Sequence, residues 1–466
     1  MTTTTSNQSR LLIAFMLLTG VAAVLWCVAH YHVATVPSAL LLTTRWLAIL
    51  AFAGYAIFRR SLTTWIAVGI VAGAEIGHDW PSAAANLQVL SGIFLRLIKT
   101  IIAPLIFSTL VVGIAGHANL KQVGRMGIKA LIYFELVTTV ALFIGLGAIN
   151  LSKAGVGITP PAGAAPTVAV QKQTASDVIL HVFPENLAKS VAEGQVLQVV
   201  VFSIIFGIAL ALVGEQKRRP VLEFCEGLSE TMFKFTNIVM LFAPIGVAGA
   251  MAYTVGTMGF GVLLNLIKLV ATLYAALIVF VLCVFLPVAL IARIEIGKLL
   301  KAIAEPASIA FATASSEAAL PRAMEAMEAF GVPRQVVAFV MPTGYSFNLD
   351  GSTLYLALAS IFVAQAAGIQ MSFGSQVLLV FTLMLTSKGV AGVPRAMLVV
   401  LLGTVEAFHL PAWPIFIILG VDQLMDMART MINVVGNCLA TAVIARWEGE
   451  LGTETPSPVV VEGMAQ

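Results

Sequence analysis

Long apolar stretches dominate this sequence and leave little room for a fold in water. Of the 466 residues, 59% are apolar and 11% are charged, and the mean hydropathy is +0.98. An ordinary soluble protein has about 25% charged residues, whereas a helix of about 20 apolar residues crosses a bilayer. Ten stretches fit helical spans: 11–30, 39–58, 63–76, 89–114, 128–151, 196–213, 233–255, 263–292, 336–367 and 411–445. We therefore expect an all-α polytopic membrane protein.

Charge and motif content exclude several functional classes. A formal charge of +3 spread over 49.2 kDa gives no basic face for a nucleic acid. The sequence has neither a phosphate-binding loop nor a dinucleotide fingerprint, and its six histidines show no metal-ligand spacing. The four cysteines stand singly in apolar runs, which favours buried small side chains over disulfides. We therefore expect neither an enzyme nor a resident cofactor.

Two further apolar stretches are interrupted near their middles. Residues 296–330 contain Ala-Ser-Ser-Glu-Ala-Ala-Leu-Pro at 314–321, and residues 371–410 contain Ser-Lys-Gly-Val-Ala-Gly-Val-Pro at 387–394. We expect both to form re-entrant helical hairpins, because a membrane tolerates a broken helix only where the freed backbone faces protein or water. Their tips combine small side chains with backbone amides that suit a carboxylate: Ser315, Ser316, Glu317, Gly389, Gly392 and Val393.

Lysines and arginines cluster at the ends of alternate stretches. They lie at 59–60, 121–129, 217–219, 293–301 and 446. These positions share one side of the membrane if the spans alternate and the hairpins do not cross. Since cytoplasmic loops carry the excess of basic residues, we expect both termini in the cytoplasm and the protein in a bacterial inner membrane. The two hairpins then enter from opposite sides, as in an inverted repeat.

The last span carries a polar stripe. At roughly 100° per residue, its main polar side chains fall within about 80° of one another. They are Asp422, Asp426, Arg429, Asn433 and Asn437, with Thr430 at the margin. Ionisable residues inside spans usually mark a substrate or ion path. The alternative is that Asp426 and Arg429, three residues apart, form a salt bridge that only holds helices together.

A second polar segment interrupts the span 336–367. The sequence from Gly344 to Thr353 is Gly-Tyr-Ser-Phe-Asn-Leu-Asp-Gly-Ser-Thr, with glycines on both sides of Asn348 and Asp350. This pattern predicts an unwound helix whose free carbonyls and amides hold ions or polar substrate groups. The alternative is a kink that neighbouring helices satisfy.

Four ordered motifs together resemble the dicarboxylate/amino acid:cation symporter family, the glutamate-transporter group. They are Ser-Ser-Glu-Ala-Ala-Leu-Pro, Asn-Leu-Asp-Gly-Ser, Gly-Val-Ala-Gly-Val-Pro and Asp-x-x-x-Asp-x-x-Arg-Thr-x-x-Asn, and the resemblance covers residues 62–448. It implies a secondary active symporter with inverted repeats, two re-entrant hairpins, a homotrimer with a static scaffold, and a transport domain that moves like an elevator. The two spans before residue 60 lie outside the family pattern.

The resemblance also implies roles for single residues. Arg429 matches the ligand of the substrate's side-chain carboxylate, and Asp426 the ligand of its amino group. The remaining substrate positions are Thr430 and Asn433 at the backbone end, Ser315, Ser316 and Val393 at the hairpin tips, and Ser352 nearby. Because a dicarboxylate has no ammonium group, Asp426 favours glutamate or aspartate over succinate, fumarate or malate. A C4-dicarboxylate symporter is the alternative, and an anion channel a less favoured one.

Departures from the family pattern bear on the coupling cation. Sodium-coupled relatives have an acid where this chain has Asn437, and hydroxyl-bearing residues where it has Phe134 and Val137. Lys388 adds a positive charge near another sodium position. Protons are therefore expected, with Glu135 as the candidate carrier and Glu317 as a second candidate. The alternatives are that Glu135 only bonds a neighbouring helix and that Glu317 only caps the tip. Sodium remains the alternative, and the candidate ion positions are Glu135, Glu317, Gly344, Asn348, Asp350 and Asn437. No role follows for Arg395.

The sequence predicts the following division of the chain. Residues 1–60 form two extra helices, 61–295 the scaffold with the first transport-domain spans, 296–330 and 371–410 the hairpins, 331–370 the unwound span, 411–448 the last span and 449–466 a disordered tail.

Overall fold

The computed structural model describes residues 2–115, 120–160, 183–193, 196–386, 396–408 and 410–452, and these contain helices and no strand. The helices are α1 (Thr2–His30), α2 (Ser38–Arg59), α3 (Leu62–Asp79), α4 (Pro81–Asn86), α5 (Gln88–Ala115), α6 (Leu120–Ser152), α7 (Leu187–Ala192), α8 (Val196–Leu212), α9 (Glu215–Met240), α10 (Ala243–Met258), α11 (Gly261–Phe280), α12 (Leu286–Ile291), α13 (Ile296–Thr313), α14 (Ser316–Ala329), α15 (Arg334–Phe347), α16 (Asp350–Ala366), α17 (Phe373–Thr386), α18 (Ala396–Ala407) and α19 (Trp413–Glu448).

Length and hydropathy identify membrane-spanning helices within this set. Among the described residues, six helical segments are long and apolar enough to cross a bilayer, and one bent pair could form a seventh span. This confirms the polytopic all-α class. The predicted span at 233–255 contains a bend that the sequence analysis did not predict, because α9 and α10 meet there at an angle of 49°. Pro244 explains the bend, since its nitrogen carries no hydrogen for the carbonyl four residues earlier.

The described chain divides into two compact units. The N-terminal unit comprises Met1–Phe94 with Val239–Val262, and the C-terminal unit comprises Leu95–Ile238 with Leu263–Gln466. In the N-terminal unit, α3 lies directly against the backbone of α10. A Cβ added at Gly69, Gly73 or Gly77 would collide with carbonyl oxygens of α10. Small residues at this spacing let two membrane helices pack at close range.

In the C-terminal unit, α16 is the central helix. It is buried from Asp350 to Ala364 and packs on α6 and α19. The last helix, α19, also packs on α13, α14 and α15. The polar stripe of α19 therefore meets the start of α16 inside this unit.

Two of the three predicted interruptions lie within the described chain, and both are confirmed. The first separates α13 from α14 at Ala314 and Ser315; Ala314 has a left-handed φ of 51°, and the Ser315 hydroxyl accepts a hydrogen bond from the Ala318 amide at 3.3 Å. The second separates α15 from α16 at Asn348 and Leu349. The third, at 387–394 with Gly389, Gly392 and Val393, lies outside the described residues, as do Lys388, Arg395 and the tail after residue 452.

Candidate functional site

The polar stripe of α19 is buried, and the opposite side of the helix is not. Asp422, Asp426, Arg429, Thr430, Asn433 and Asn437 are all less than 9% exposed. Leu424 is 43% exposed, and Met427, Met431 and Val435 are partly exposed. The helical period therefore turns every predicted polar residue of α19 into the interior.

Arg429 lies between two carboxylates of its own helix. Its Nε donates to Asp426 Oδ1 at 2.8 Å, and its Nη1 lies 3.4 Å from Asp422 Oδ1. The guanidinium carbon lies 4.1 Å from the ring centre of Tyr355 on α16, and the Tyr355 hydroxyl donates to Asp422 Oδ1 at 3.0 Å. Tyr355 and Asp422 thus fix the orientation of the guanidinium.

Asp426 has one oxygen engaged and one oxygen open. Its Oδ1 accepts from Arg429 and from the Thr430 hydroxyl at 3.2 Å. Its Oδ2 is buried without a hydrogen-bond partner within the described part of the chain. Because an unsatisfied buried carboxylate oxygen is costly, this atom is suited to receive a donor from a ligand.

Asn433 connects α19 to the first turn of α16. Its Oδ1 accepts from the backbone amides of Gly351 at 2.9 Å and Ser352 at 3.2 Å, and its Nδ2 donates to the Ser352 hydroxyl at 2.8 Å. Without a Cβ, Gly351 can lie against the carbonyl of Arg429. Asn433 therefore satisfies amides that a helix start leaves free.

The unwound segment contributes a second polar group one helical turn away. The Nδ2 of Asn348 donates to Asn437 Oδ1 at 3.1 Å, and Asp350 lies against Gly436. Gly344 lies beside the same Asn437 oxygen, next to the ring of Phe134. The structure thus brings together four of the predicted ion positions: Gly344, Asn348, Asp350 and Asn437.

A widened turn places Phe285 against this second group. Residues Val281–Phe285 form a π-helical turn between α11 and α12, followed by Pro287. Pro287 has no amide hydrogen for Cys283, so the ladder shifts by one residue. A Cβ on Gly436 would lie 2.8 Å from the Phe285 ring.

The buried charges of the site do not cancel. Among the described residues, the charged residues that are buried as a whole are Asp350, Asp422, Asp426 and Arg429. With all three acids ionised, two negative charges remain in excess. No group of three or more His, Cys, Asp or Glu side chains in the described residues could hold a metal ion.

Other predicted residues lie apart from this centre or are engaged elsewhere. Glu135 is half-buried on α6, one residue after Phe134, and Glu317 is exposed in the first turn of α14. The cap of α14 is Ser315, while the Ser316 carbonyl accepts from the Tyr345 hydroxyl at 2.9 Å. Phe134 and Val137 are both buried. Val393 lies outside the described residues.

Sequence reasoning missed Tyr355 and Phe285 as parts of the site. A tyrosine inside the apolar run after Asn-Leu-Asp-Gly-Ser-Thr was the available signal for Tyr355, because a buried hydroxyl needs a partner. Pro287 was the corresponding signal for the widened turn before it.

Comparison with known proteins gives consistent matches. The Sodium:dicarboxylate symporter family matches residues 62–447. A Bacillus caldotenax protein named proton/sodium-glutamate symport protein is 42% identical over 403 residues, covering 85% of this chain and 95% of its own length. The Escherichia coli proton/glutamate-aspartate symporter is 43% identical over 397 residues, covering 82% and 90%. C4-dicarboxylate transport protein 2 of Mesorhizobium japonicum is 43% identical over 394 residues, covering 83% and 89%.

Proposed function

Because this chain belongs to the sodium:dicarboxylate symporter family, we propose that it imports an acidic amino acid, glutamate or aspartate, together with protons. The family consists of transporters and not of enzymes. The observation that carries the proposal is the buried Arg429–Asp426 pair beside the unwound segment, with one Asp426 oxygen open.

An acidic amino acid matches the charges of this pair. Its side-chain carboxylate displaces the single-oxygen contact of Asp426 and becomes a bidentate partner of the Arg429 guanidinium. Its ammonium group then meets Asp426, including the open Oδ2. Each buried charge keeps a partner throughout the exchange, which avoids the cost of an isolated charge in a membrane interior.

The remaining substrate contacts follow from the same placement. Thr430 and Asn433 lie next along the stripe towards the start of α16, where Ser352 already bonds Asn433. We assign these three to the backbone end of the substrate. We assign the hairpin tips, with Ser315, Ser316 and Val393, to closing the site by backbone amides.

Proton coupling is proposed from the charge balance and from the side chains present. An anionic substrate adds to the two negative charges already in excess, so cations must enter with it. Asn437 supplies a neutral amide, and Phe134 and Val137 supply no oxygen ligand in their side chains. We assign proton carriage to Glu135, with Glu317 as the second candidate, and an ion-facing role to Gly344, Asn348, Asp350 and Asn437.

A C4-dicarboxylate is the second candidate substrate. Relatives named for C4-dicarboxylate transport match this chain at the same level of identity as those named for glutamate. In that case Asp426 would stay on Arg429, and the substrate would add two negative charges without an ammonium group. This larger charge excess is the reason to prefer the amino acid.

The proposal includes the family's architecture. We infer two inverted repeats, with α13–α14 and the 371–410 segment as re-entrant hairpins entering from opposite sides. We also infer a homotrimer whose transport domains move like an elevator. Both termini are assigned to the cytoplasmic side of a bacterial inner membrane, with α1 and α2 as additions to the family's spans.

Uptake into proteoliposomes tests the proposal. Labelled aspartate and, separately, labelled succinate are offered with an inward proton gradient and no sodium. Concentrative aspartate uptake is expected, and uptake should fail in the Arg429→Ala variant. Preference for succinate would favour the second candidate, and uptake only after sodium is added would contradict proton coupling. Flux that never exceeds equilibrium in either case would indicate a channel.

A further inference from the structure

The N-terminal unit carries an unequal set of charges. Its basic side chains are Arg10, Arg45, Arg59 and Arg60, and its acidic side chains are Glu75 and Asp79. Residues 1–74 contain no acid at all. Because membrane helices bear charges at a cost, the location of each charge in this unit calls for a physical reason.

Both acidic side chains form ion pairs with Arg45. Its Nη2 lies 2.6 Å from Asp79 Oδ1, and its Nε lies 3.5 Å from Glu75 Oε2. The Trp46 indole also donates to Asp79 Oδ2 at 2.9 Å. This group links α2 to α3, and both acidic side chains of the N-terminal unit take part in it.

The other three arginines lie at the opposite end of the α1–α2 hairpin. Arg59 is 14 residues from Arg45 on one helix, about 21 Å at 1.5 Å per residue. On α1, Phe15 stacks on Phe52 at 4.4 Å and Leu11 packs on Gly54. The antiparallel register therefore brings Arg10 level with the last turns of α2.

These three arginines differ from Arg45 in their surroundings. Arg10, Arg59 and Arg60 are exposed, and within the described residues none has a carboxylate partner. Arg59 Nη1 donates a hydrogen bond to the Tyr55 hydroxyl at 3.3 Å. Arg60 ends α2 with a left-handed φ of 50°, which turns its side chain off the helix.

Apolar side chains continue from the arginines along both helices. Ile13, Met16 and Leu17 of α1 are 55%, 62% and 65% exposed, and Ile57 and Phe58 of α2 are 59% and 38% exposed. A ligand that fits both features has a negative headgroup joined to long apolar chains. Basic side chains between membrane helices at the cytoplasmic surface bind such headgroups.

The geometry points to a binding site for an anionic phospholipid at the Arg10–Arg59–Arg60 end of the α1–α2 hairpin, with the phosphate on the guanidiniums and the acyl chains on the exposed apolar faces of α1 and α2. The site lies outside the family match at 62–447, and it does not depend on the transported substrate.

Native mass spectrometry of the full-length protein with titrated phosphatidylglycerol tests this site. We expect the Arg10→Gln/Arg59→Gln/Arg60→Gln variant to lose affinity by about fivefold for each arginine, on the order of 100-fold in all. The matched control is Lys217→Gln/Arg218→Gln/Arg219→Gln, which removes the same charge from α9. There Arg218 and Arg219 already pair with Glu215 and Glu223, so affinity should stay within about twofold of wild type.

Further arms separate lipid binding from other causes. The Arg10→Lys/Arg59→Lys/Arg60→Lys variant keeps the charge and should retain most of the affinity, which guards against a folding defect. Phosphatidylcholine should bind at least tenfold more weakly than phosphatidylglycerol, and free inorganic phosphate should not displace the lipid. Equal affinity of the glutamine variant and its control, equal binding of the two lipids, or displacement by phosphate would each overturn the proposal.

Discussion

Arg45 and Arg429 each meet two carboxylates, and they do so in opposite ways. Arg45 of α2 pairs with Asp79 and Glu75 of the neighbouring helix α3, at 2.6 and 3.5 Å. Arg429 pairs with Asp426 and Asp422 of its own helix, at 2.8 and 3.4 Å. The first group joins two helices, whereas the second would form within an isolated α19.

This difference distinguishes an ion pair that only holds helices together from a ligand-binding site. An ion pair that only holds helices together gains its value from linking separate elements, as at Arg45. Both carboxylate partners of Arg429 lie on its own helix, so the ion pairs themselves join no two helices, and Tyr355 of α16 contacts the guanidinium and Asp422. Yet the Arg429 side chain is 1% exposed and that of Arg45 22%. Deep burial of an arginine whose ion pairs stay within one helix favours the interpretation that Arg429 is kept for a ligand.

The Arg429→Ala variant should have the largest effect. It removes the partner of any substrate carboxylate and leaves Asp422 and Asp426 without their cation, so aspartate uptake should fall on the order of 100-fold or more. Uptake into proteoliposomes at equal protein content measures this. Arg429→Lys keeps the positive charge but lacks the planar guanidinium, so it should retain only a part of the wild-type aspartate uptake. Wild-type affinity in the alanine variant would show that Arg429 is structural, like Arg45.

The Asp426→Ser variant should separate the two candidate substrates. Losing the ammonium partner should weaken aspartate binding by about 10- to 100-fold, as for a hydrogen bond to a charged group. Succinate uptake should persist, because succinate has no ammonium group. Competition by each unlabelled substrate measures the two affinities. Asp422→Asn is the control, since Asp422 contacts Tyr355 and Arg429 and should affect both substrates alike. An unchanged aspartate affinity would contradict the role of Asp426.

The Arg45→Gln variant tests the structural member of the comparison. It leaves Asp79 and Glu75 beside a neutral side chain, and we expect a loss of about 1–3 kcal/mol in stability, less than for a fully buried pair. Thermal unfolding of the purified protein measures the loss, and uptake per folded molecule should not change. The swap Arg45→Asp with Asp79→Arg should recover stability. A variant that is stable but inactive would place Arg45 in the transport cycle.

The buried face of α19 and the break before α16 are features that local sequence patterns predict. The stripe of α19 follows from helical period alone, so Asp422 to Asn437 share one buried face as predicted. The break at Asn348 and Leu349 follows from polar residues flanked by Gly344 and Gly351. Both are local properties of the backbone, and local sequence determines them.

The helical periodicity of the sequence does not predict which side chains of two different helices contact each other. Arg45 meets Asp79 because α2 packs on α3, and the same sequence allows other partners for both. Tyr355 reaches Arg429 only because α16 is buried against α19. The bend before Pro244 was missed because the apolar run 233–255 is continuous in hydropathy, although one proline had removed an amide hydrogen from it.

The smallest of these effects, at fixed proton gradient, concerns Glu135. The Arg429 group, with Asp350, has two negative charges in excess, and a proton that enters with substrate must be bound by a group that can also release it. Glutamine resembles the protonated acid but cannot release a proton, so Glu135→Gln should still exchange internal for external aspartate. Net accumulation should lose its dependence on the proton gradient, which is about tenfold per pH unit for one coupled proton.

Uptake between pH 6 and 8 measures this dependence, with Glu317→Gln as the matched control on α14. If Glu135→Gln keeps the wild-type pH profile and Glu317→Gln flattens it, the proton carrier is Glu317, the exposed acid of the first hairpin. If neither variant changes the pH profile, the proton resides on the buried acids beside Arg429, and that group serves both substrate and cation.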